Sequence, residues 1–139
     1  RKLIQTVQNE FPDFIVYSGF DEYFAHNVLS GGNGCIGGLS NIYPEVFSTW
    51  VKAINEQDLK KAGDIQEIVD KMMELYDLGP TFIPFTKQAM VLKGIGLKEY
   101  CQKPLIQPSE KQKESINLLL QELDARIVQV IPQYKGVLQ

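Results

Sequence analysis

Histidine and tryptophan each occur once in this 139-residue chain, and cysteine only twice. His26 lies five residues after Asp21 with no cysteine or second histidine near it, so neither a metal nor a cofactor is expected. Cys35 and Cys101 stand far apart in no ligand-like spacing, which suits two reduced thiols in a cytoplasmic protein. No apolar run approaches the roughly 20 residues that cross a bilayer as a helix. Basic residues do not dominate: 14 Lys+Arg stand against 17 Asp+Glu, a net charge of −3, which argues against a nucleic-acid partner. No Ser-His-Asp order, CxxC, P-loop or GxGxxG motif is present. An initiating Met and a signal-peptide pattern are also missing. The chain opens on Arg1-Lys2-Leu3-Ile4, as if partway along a helix.

What is there has globular composition, with 44% hydrophobic and 22% charged residues. Leu3, Ile4, Val7 and Phe11 recur at helical spacing before Pro12. Phe14-Ile15-Val16-Tyr17 is an apolar run without alternation, the pattern of a strand buried on both faces. A helix over Tyr23, Phe24, Val28 and Leu29 follows, stopped by Gly31-Gly32, and Cys35-Ile36-Gly37-Gly38 makes a second short strand. Two strands joined by a helix form a βαβ unit. A helix then carries Val46, Phe47, Trp50, Val51 and Ile54. Next comes a long helix capped by Asp58, with Leu59, Ala62, Ile65, Ile68, Val69, Met72, Leu75 and Tyr76 on one face. Pro84 suits the first turn of another helix, and Ser109-Glu110-Lys111-Gln112 opens a last, capped one. Residues 103–108, with Pro104 and Pro108, read as an extended linker. Two strands alone do not make a stable parallel sheet, so the expectation is a piece of a larger α/β structure whose other part is N-terminal.

In parallel α/β structures functional groups sit at the C-terminal ends of strands. Two places qualify. At the first, Gly19 could let a ligand approach the backbone, and Asp21 and Glu22 could accept hydrogen bonds from hydroxyls. The same two carboxylates suit a helix N-cap and a first-turn residue. At the second, Gly37-Gly38 could present backbone N–H groups to an anion, or simply form a turn. Elsewhere, Cys35 suits a small core position and His26 a helix surface or packing position. Lys87 could be a buried amine or a snorkelling helix lysine.

As a group these residues resemble a known family. Val16-Tyr17-Ser18-Gly19-Phe20-Asp21-Glu22 resembles the seventh-strand motif of the N-acetylneuraminate lyases, a Gly followed by an aromatic and an Asp-Glu pair. The segment from Gly32 to Asn41 resembles the eighth strand of the wider family that unites those lyases with the dihydrodipicolinate synthases. Phe82-Ile83-Pro84-Phe85-Thr86-Lys87 is similar to the family's Pro-Ile-Pro-Val-Lys element. Pro104-Leu105 through Pro108-Ser109-Glu110 is similar to its final linker and helix. The four pieces occur in collinear order.

The resemblance implies the C-terminal portion of a TIM (β/α)8 barrel: strands seven and eight in residues 1–55, then a helical extension in residues 56–139. It implies a class I aldolase whose lysine forms a Schiff base with a 2-oxo acid. That lysine is expected just upstream of Arg1, so this chain holds no catalytic residue of its own and should be inactive alone. Gly19, Asp21 and Glu22 would contact the hydroxylated tail of the substrate, Ile36 would sit beside pyruvate, and Gly37 and Gly38 would place backbone against the substrate. Gly38 stands where sialic acid lyases usually carry Ser, and Leu39-Ser40 where they carry Thr-Tyr. This brings another 2-keto-3-deoxy sugar acid into view beside N-acetylneuraminate. The alternatives are a dihydrodipicolinate synthase-type lyase condensing pyruvate with an aldehyde, and a non-catalytic half-barrel. The implied partners are a small 2-oxo acid, the N-terminal half of the barrel and further copies in a homotetramer, without nucleic acid or membrane.

Overall fold

The computed structural model describes residues 2–134; Arg1, where the sequence opens, lies outside them. The elements run α1 (Lys2–Glu10), β1 (Tyr17–Ser18), α2 (Phe24–Leu29), β2 (Gly34–Cys35), α3 (Pro44–Asn55), α4 (Leu59–Asp77), α5 (Phe82–Leu92) and α6 (Glu110–Val130). Single 3-10 turns at Asp21–Tyr23 and Leu39–Asn41 follow the two strands. The chain divides into two compact units, one up to Gly38 and one from Leu39 onward. The division falls there because α3 packs against α4 among the later helices.

The first unit is the expected βαβ arrangement. β1 and β2 are parallel, with Tyr17 opposite Gly34 and Ser18 opposite Cys35. Flanking bonds extend the pairing: Asn33 N–H donates to Val16 O and Ile36 N–H to Ser18 O, both at 2.9 Å. α2 ends where Gly31 takes φ +92°, a left-handed conformation that costs glycine least. The Gln8 side-chain amide donates to Gly31 O and ties α1 to that turn.

Both strands are shorter than the apolar runs predict. Phe14 and Ile15 are exposed, and so is Tyr17, where a strand covered on both faces was expected. The second strand ends at Cys35 rather than Gly38, and Cys35 is half-buried rather than core. The cause is the size of the sheet, which has two strands among the described residues, so the apolar run has little to pack beneath. Ile4 and Phe24 are the buried hydrophobic side chains of this unit among the described residues.

The second unit has a dense helical core. α4 packs against α3, α5 and α6. Ala62, Ile65, Ile68, Val69, Met72 and Leu75 of α4 are buried, as their spacing predicts. Leu59, placed on the same face by sequence, is instead exposed at the first turn. Trp50 on α3 is fully buried and its indole N–H donates to Ala62 O at 3.1 Å. Lys87 reaches along α5 to donate to Tyr100 O, a snorkelling position rather than a buried amine.

The two predicted caps form. The Asp58 carboxylate accepts from Lys61 N–H at 3.0 Å. Ser109 and Gln112 make a reciprocal capping box on α6, and the Gln112 amide also donates to Leu78 O at 2.8 Å, after the end of α4. Ser109→Ala is expected to destabilise the protein by about 1 kcal/mol, read as a lower urea midpoint at an unchanged slope.

Lys93 is buried just after α5, and its ammonium donates to both carboxylate oxygens of Asp124 at 2.8 and 3.0 Å and to the Tyr134 hydroxyl at 2.7 Å. Tyr134 in turn donates to Asp124 Oδ1 at 2.9 Å. The Tyr43 ring lies beneath the ammonium, 4.6 Å from its centroid. No helix among the described residues is long and apolar enough to cross a membrane.

Candidate active-site wall

Parallel strands deliver their following loops to the same edge. β1 therefore leads into Gly19-Phe20-Asp21-Glu22 and β2 into Ile36-Gly37-Gly38, and the register brings these two loops together. All six residues singled out in the sequence, Gly19, Asp21, Glu22, Ile36, Gly37 and Gly38, lie at this edge.

The first loop is shaped by Ser18. Its hydroxyl donates to Phe20 O at 2.9 Å and accepts from Phe20 N–H at 3.3 Å, turning the chain directly after the strand. The Cys35 thiol donates to the same Phe20 carbonyl at 3.4 Å. Burial pushes that thiol above its ordinary range, and the Asp21 charge pushes it the same way. Cys35 thus links the two strand ends through its bond to the Phe20 carbonyl.

Asp21 does not cap the helix that it precedes. The 3-10 turn Asp21–Tyr23 has Phe20 at its N-cap and no side-chain cap bond. The Asp21 carboxylate instead turns inward, 1% exposed, and its Oδ2 accepts from Gly38 N–H at 3.0 Å. A helix start offers its nearest N–H groups to a carboxylate, but this one reaches the Gly38 amide delivered by the adjacent strand. Gly37 lies so close that a methyl group on it would sit 2.1 Å from Asp21 Oδ1.

Around this buried carboxylate the edge is open. Ile36 is 72% exposed and Phe20 60%, while Glu22 is half-buried in the first turn. Gly19 has open space on its α-carbon. His26 is exposed on α2. Among the described residues no group of three His, Cys, Asp or Glu could hold a metal ion. The arrangement is an apolar and acidic edge at the ends of the two strands. Sequence reasoning missed Ser18 and Cys35 as its supports. Their signal was available, since adjacent parallel strand ends place both beside the Phe20 carbonyl.

The profile of the Dihydrodipicolinate synthetase family matches residues 1–123. The protein described as "Probable 2-dehydro-3-deoxy-D-pentonate aldolase YjhH" of Escherichia coli (strain K12) is 30% identical over 120 residues, which are 86% of this chain and 40% of that protein. N-acetylneuraminate lyase of Escherichia fergusonii is 29% identical over 120 residues, with the same coverage of 86% and 40%. It stands no nearer than the sugar-acid aldolase, so the acidic motif does not set this chain beside the sialic acid lyases in particular. The crystal structure of YagE, a prophage protein of the dihydrodipicolinic acid synthase family from E. coli K12 in complex with pyruvate, superposes with a TM-score of 0.83 at 30% identity. That match covers 87% of this chain and 41% of YagE. The chain spans about two-fifths of the length of these relatives. Motifs, parallel strand register and these matches agree: the chain belongs to the Dihydrodipicolinate synthetase family.

Proposed function

We propose that this chain is the C-terminal portion of a pyruvate-forming aldolase that cleaves a 2-keto-3-deoxy sugar acid. In this view residues 1–55 supply strands seven and eight of a (β/α)8 barrel, and residues 56–139 supply its helical extension. The observation that carries it is the strand-end wall, where the acidic pair Asp21-Glu22 and the Gly37-Gly38 backbone meet at one edge. The exposed apolar side chains of the first unit, Phe14, Ile15 and Tyr17 among them, fit burial against further strands. The relatives named as 2-dehydro-3-deoxy sugar-acid aldolases favour that substrate class, with N-acetylneuraminate as the longer member. A cytoplasmic homotetramer working without metal or cofactor belongs to the same reading.

The chemistry requires a lysine from sequence preceding this chain. Its amine condenses with the C2 ketone and releases water. The protonated imine accepts the electron pair of the C3–C4 bond as the C4 hydroxyl loses its proton, and an aldehyde leaves. The resulting enamine takes a proton at C3, and hydrolysis returns the lysine and pyruvate. Gly19, Ile36, Gly37 and Gly38 line the channel, and Glu22 accepts hydrogen bonds from the hydroxylated tail.

Borohydride reduction of the full-length protein with pyruvate tests this. A covalent adduct on a lysine outside residues 1–139 is expected, and its absence would remove the aldolase assignment. For the tail contact, Glu22→Ala should lower kcat/KM for 2-keto-3-deoxygluconate by about tenfold, the loss of one charge-assisted hydrogen bond. Unchanged kcat/KM would exclude Glu22 from the tail site.

A further inference from the structure

Lys93 and Asp124 are both buried in the helical unit, and neither serves the chemistry proposed above. An ammonium has three hydrogens to place. Two go to the Asp124 carboxylate oxygens, and the third goes to the Tyr134 hydroxyl at 2.7 Å. That hydroxyl returns its own proton to Asp124 Oδ1 at 2.9 Å. The position therefore takes a neutral group that accepts from an ammonium and donates to a carboxylate through one atom. A second ammonium there would face Lys93 and a second carboxylate would face Asp124, each a buried like-charge contact. The Tyr43 ring closes the apolar side, its centroid 6.3 Å from that of the Tyr134 ring. What fits is a hydroxyl carried on a flat ring, that is, a phenol.

The phenol arrives on a short tether. Pro132 lacks an N–H and disfavours helix at the residue before it, so α6 stops at Val130 and Ile131 takes φ −126° and ψ 79°. Residues 131–134 then turn back, with Tyr134 N–H donating to Ile131 O at 2.8 Å. Ile131 and Tyr134 are buried, whereas Pro132 and Gln133 between them are exposed. The segment thus rests on two anchors that lie outside any helix. A groove of about 410 Å³ runs beside it, lined by Glu45, Ser48 and Thr49 of α3 and by Tyr134 itself, and gives the ring space to leave. We propose that Lys93, Asp124 and Tyr43 form a phenol-binding socket occupied by the chain's own Tyr134, so that residues 131–134 are a strap that opens and closes without unfolding the helices beneath. This role is independent of the aldolase reading.

Tyr134→Ala in the full-length protein empties the socket, and p-cresol, the tyrosine side chain without its backbone, is the probe. Calorimetric titration should show p-cresol binding to this variant at one site per chain, as apolar ligands enter cavities left by truncated side chains. The parent, whose socket is filled, should bind none. Toluene has the same ring and methyl group without the hydroxyl, and should bind at least about tenfold more weakly, having lost hydrogen bonds to two charged groups. Toluene binding as tightly as p-cresol would overturn the socket, and so would a variant that binds no p-cresol or a parent that binds it equally well. Opening of the strap is read in the parent by amide hydrogen exchange at rising sub-denaturing urea. The Tyr134 amide should exchange at least about tenfold faster than the Ile68 and Met72 amides in the core of α4, the mark of a local opening. Its rate should also stay nearly flat in urea while theirs climb, because a local opening exposes little new surface. A Tyr134 amide that exchanges at the rate of the α4 core and climbs with it would show that the segment opens only when the unit unfolds, and would overturn the strap. If Tyr134→Ala does not fold, the exchange in the parent still decides whether the strap opens.

Discussion

Asp124→Leu is expected to destabilise the helical unit by about 3–5 kcal/mol, the cost of leaving a buried charge without its partner. Lys93 is 4% exposed, and its ammonium is enclosed by the Asp124 carboxylate, the Tyr134 hydroxyl and the faces of two tyrosine rings. Removing the carboxylate leaves the ammonium with one hydroxyl and two weakly attractive ring faces, far less than water would supply. The double variant Lys93→Met/Asp124→Leu should recover most of the loss, because an apolar pair of similar volume carries no desolvation cost. Urea unfolding of the full-length protein measures both, and a double variant no more stable than the single would show that the ion pair is itself the stabilising element. The same cluster sets an alkaline limit. Burial, followed by the Asp124 charge, pushes the Tyr43 phenol well above its usual range. Burial and the bond to Asp124 push Tyr134 the same way. Because the folded pKa values are raised, this stability is fully present below the ordinary tyrosine value near pH 10 and is lost as pH rises beyond it.

Gly37→Ala should lower kcat/KM for sugar-acid cleavage by about a hundredfold in the full-length protein. The added methyl would lie 2.1 Å from Asp21 Oδ1 and 2.6 Å from its Cγ. A flexible surface side chain could swing away from it, but this carboxylate is buried and already holds Gly38. The backbone at 37–38 must move instead, and with it the surface proposed to meet the substrate. Gly19→Ala supplies the contrast, because a methyl there meets no atom of the chain within 4 Å. Activity lost at Gly19 would report the substrate's own approach, whereas at Gly37 it reports the scaffold. If Gly37→Ala keeps kcat/KM within about threefold of the parent, the Gly37-Gly38 backbone is not part of the site.

The parts of this fold legible in the sequence are those governed by short-range chemistry. Asp58 caps α4 and Ser109 boxes with Gln112 because each finds its partner three residues away. The apolar stripe of α4 is visible because one helix face carries it. Strand length was not legible, since Phe14 and Ile15 have strand chemistry whether or not a neighbour covers them. Lys93 stood at a helix end before Gly94, an ordinary site for a solvated lysine. Its partner Asp124 is 31 residues away, a separation at which no local pattern speaks. At the site, residue types and the two strand ends were readable. The bond from Asp21 to Gly38, 17 residues apart, was not, because a carboxylate at a helix start has a nearer set of N–H groups that would satisfy it equally well.

The contrast between the buried Asp21 and its exposed neighbours Phe20 and Ile36 bears on which positions of the candidate site can be varied. Phe20 and Ile36 project outward at 60% and 72% exposure. A methyl group on Gly37 would lie 2.1 Å from Asp21 Oδ1, so Gly37 cannot gain a side chain while Asp21 keeps its place. A mutational library that diversifies positions 20 and 22 while holding 21, 36, 37 and 38 fixed would sample new tail specificities on an intact frame. One that randomises the whole acidic motif would spend most of its members on broken scaffolds.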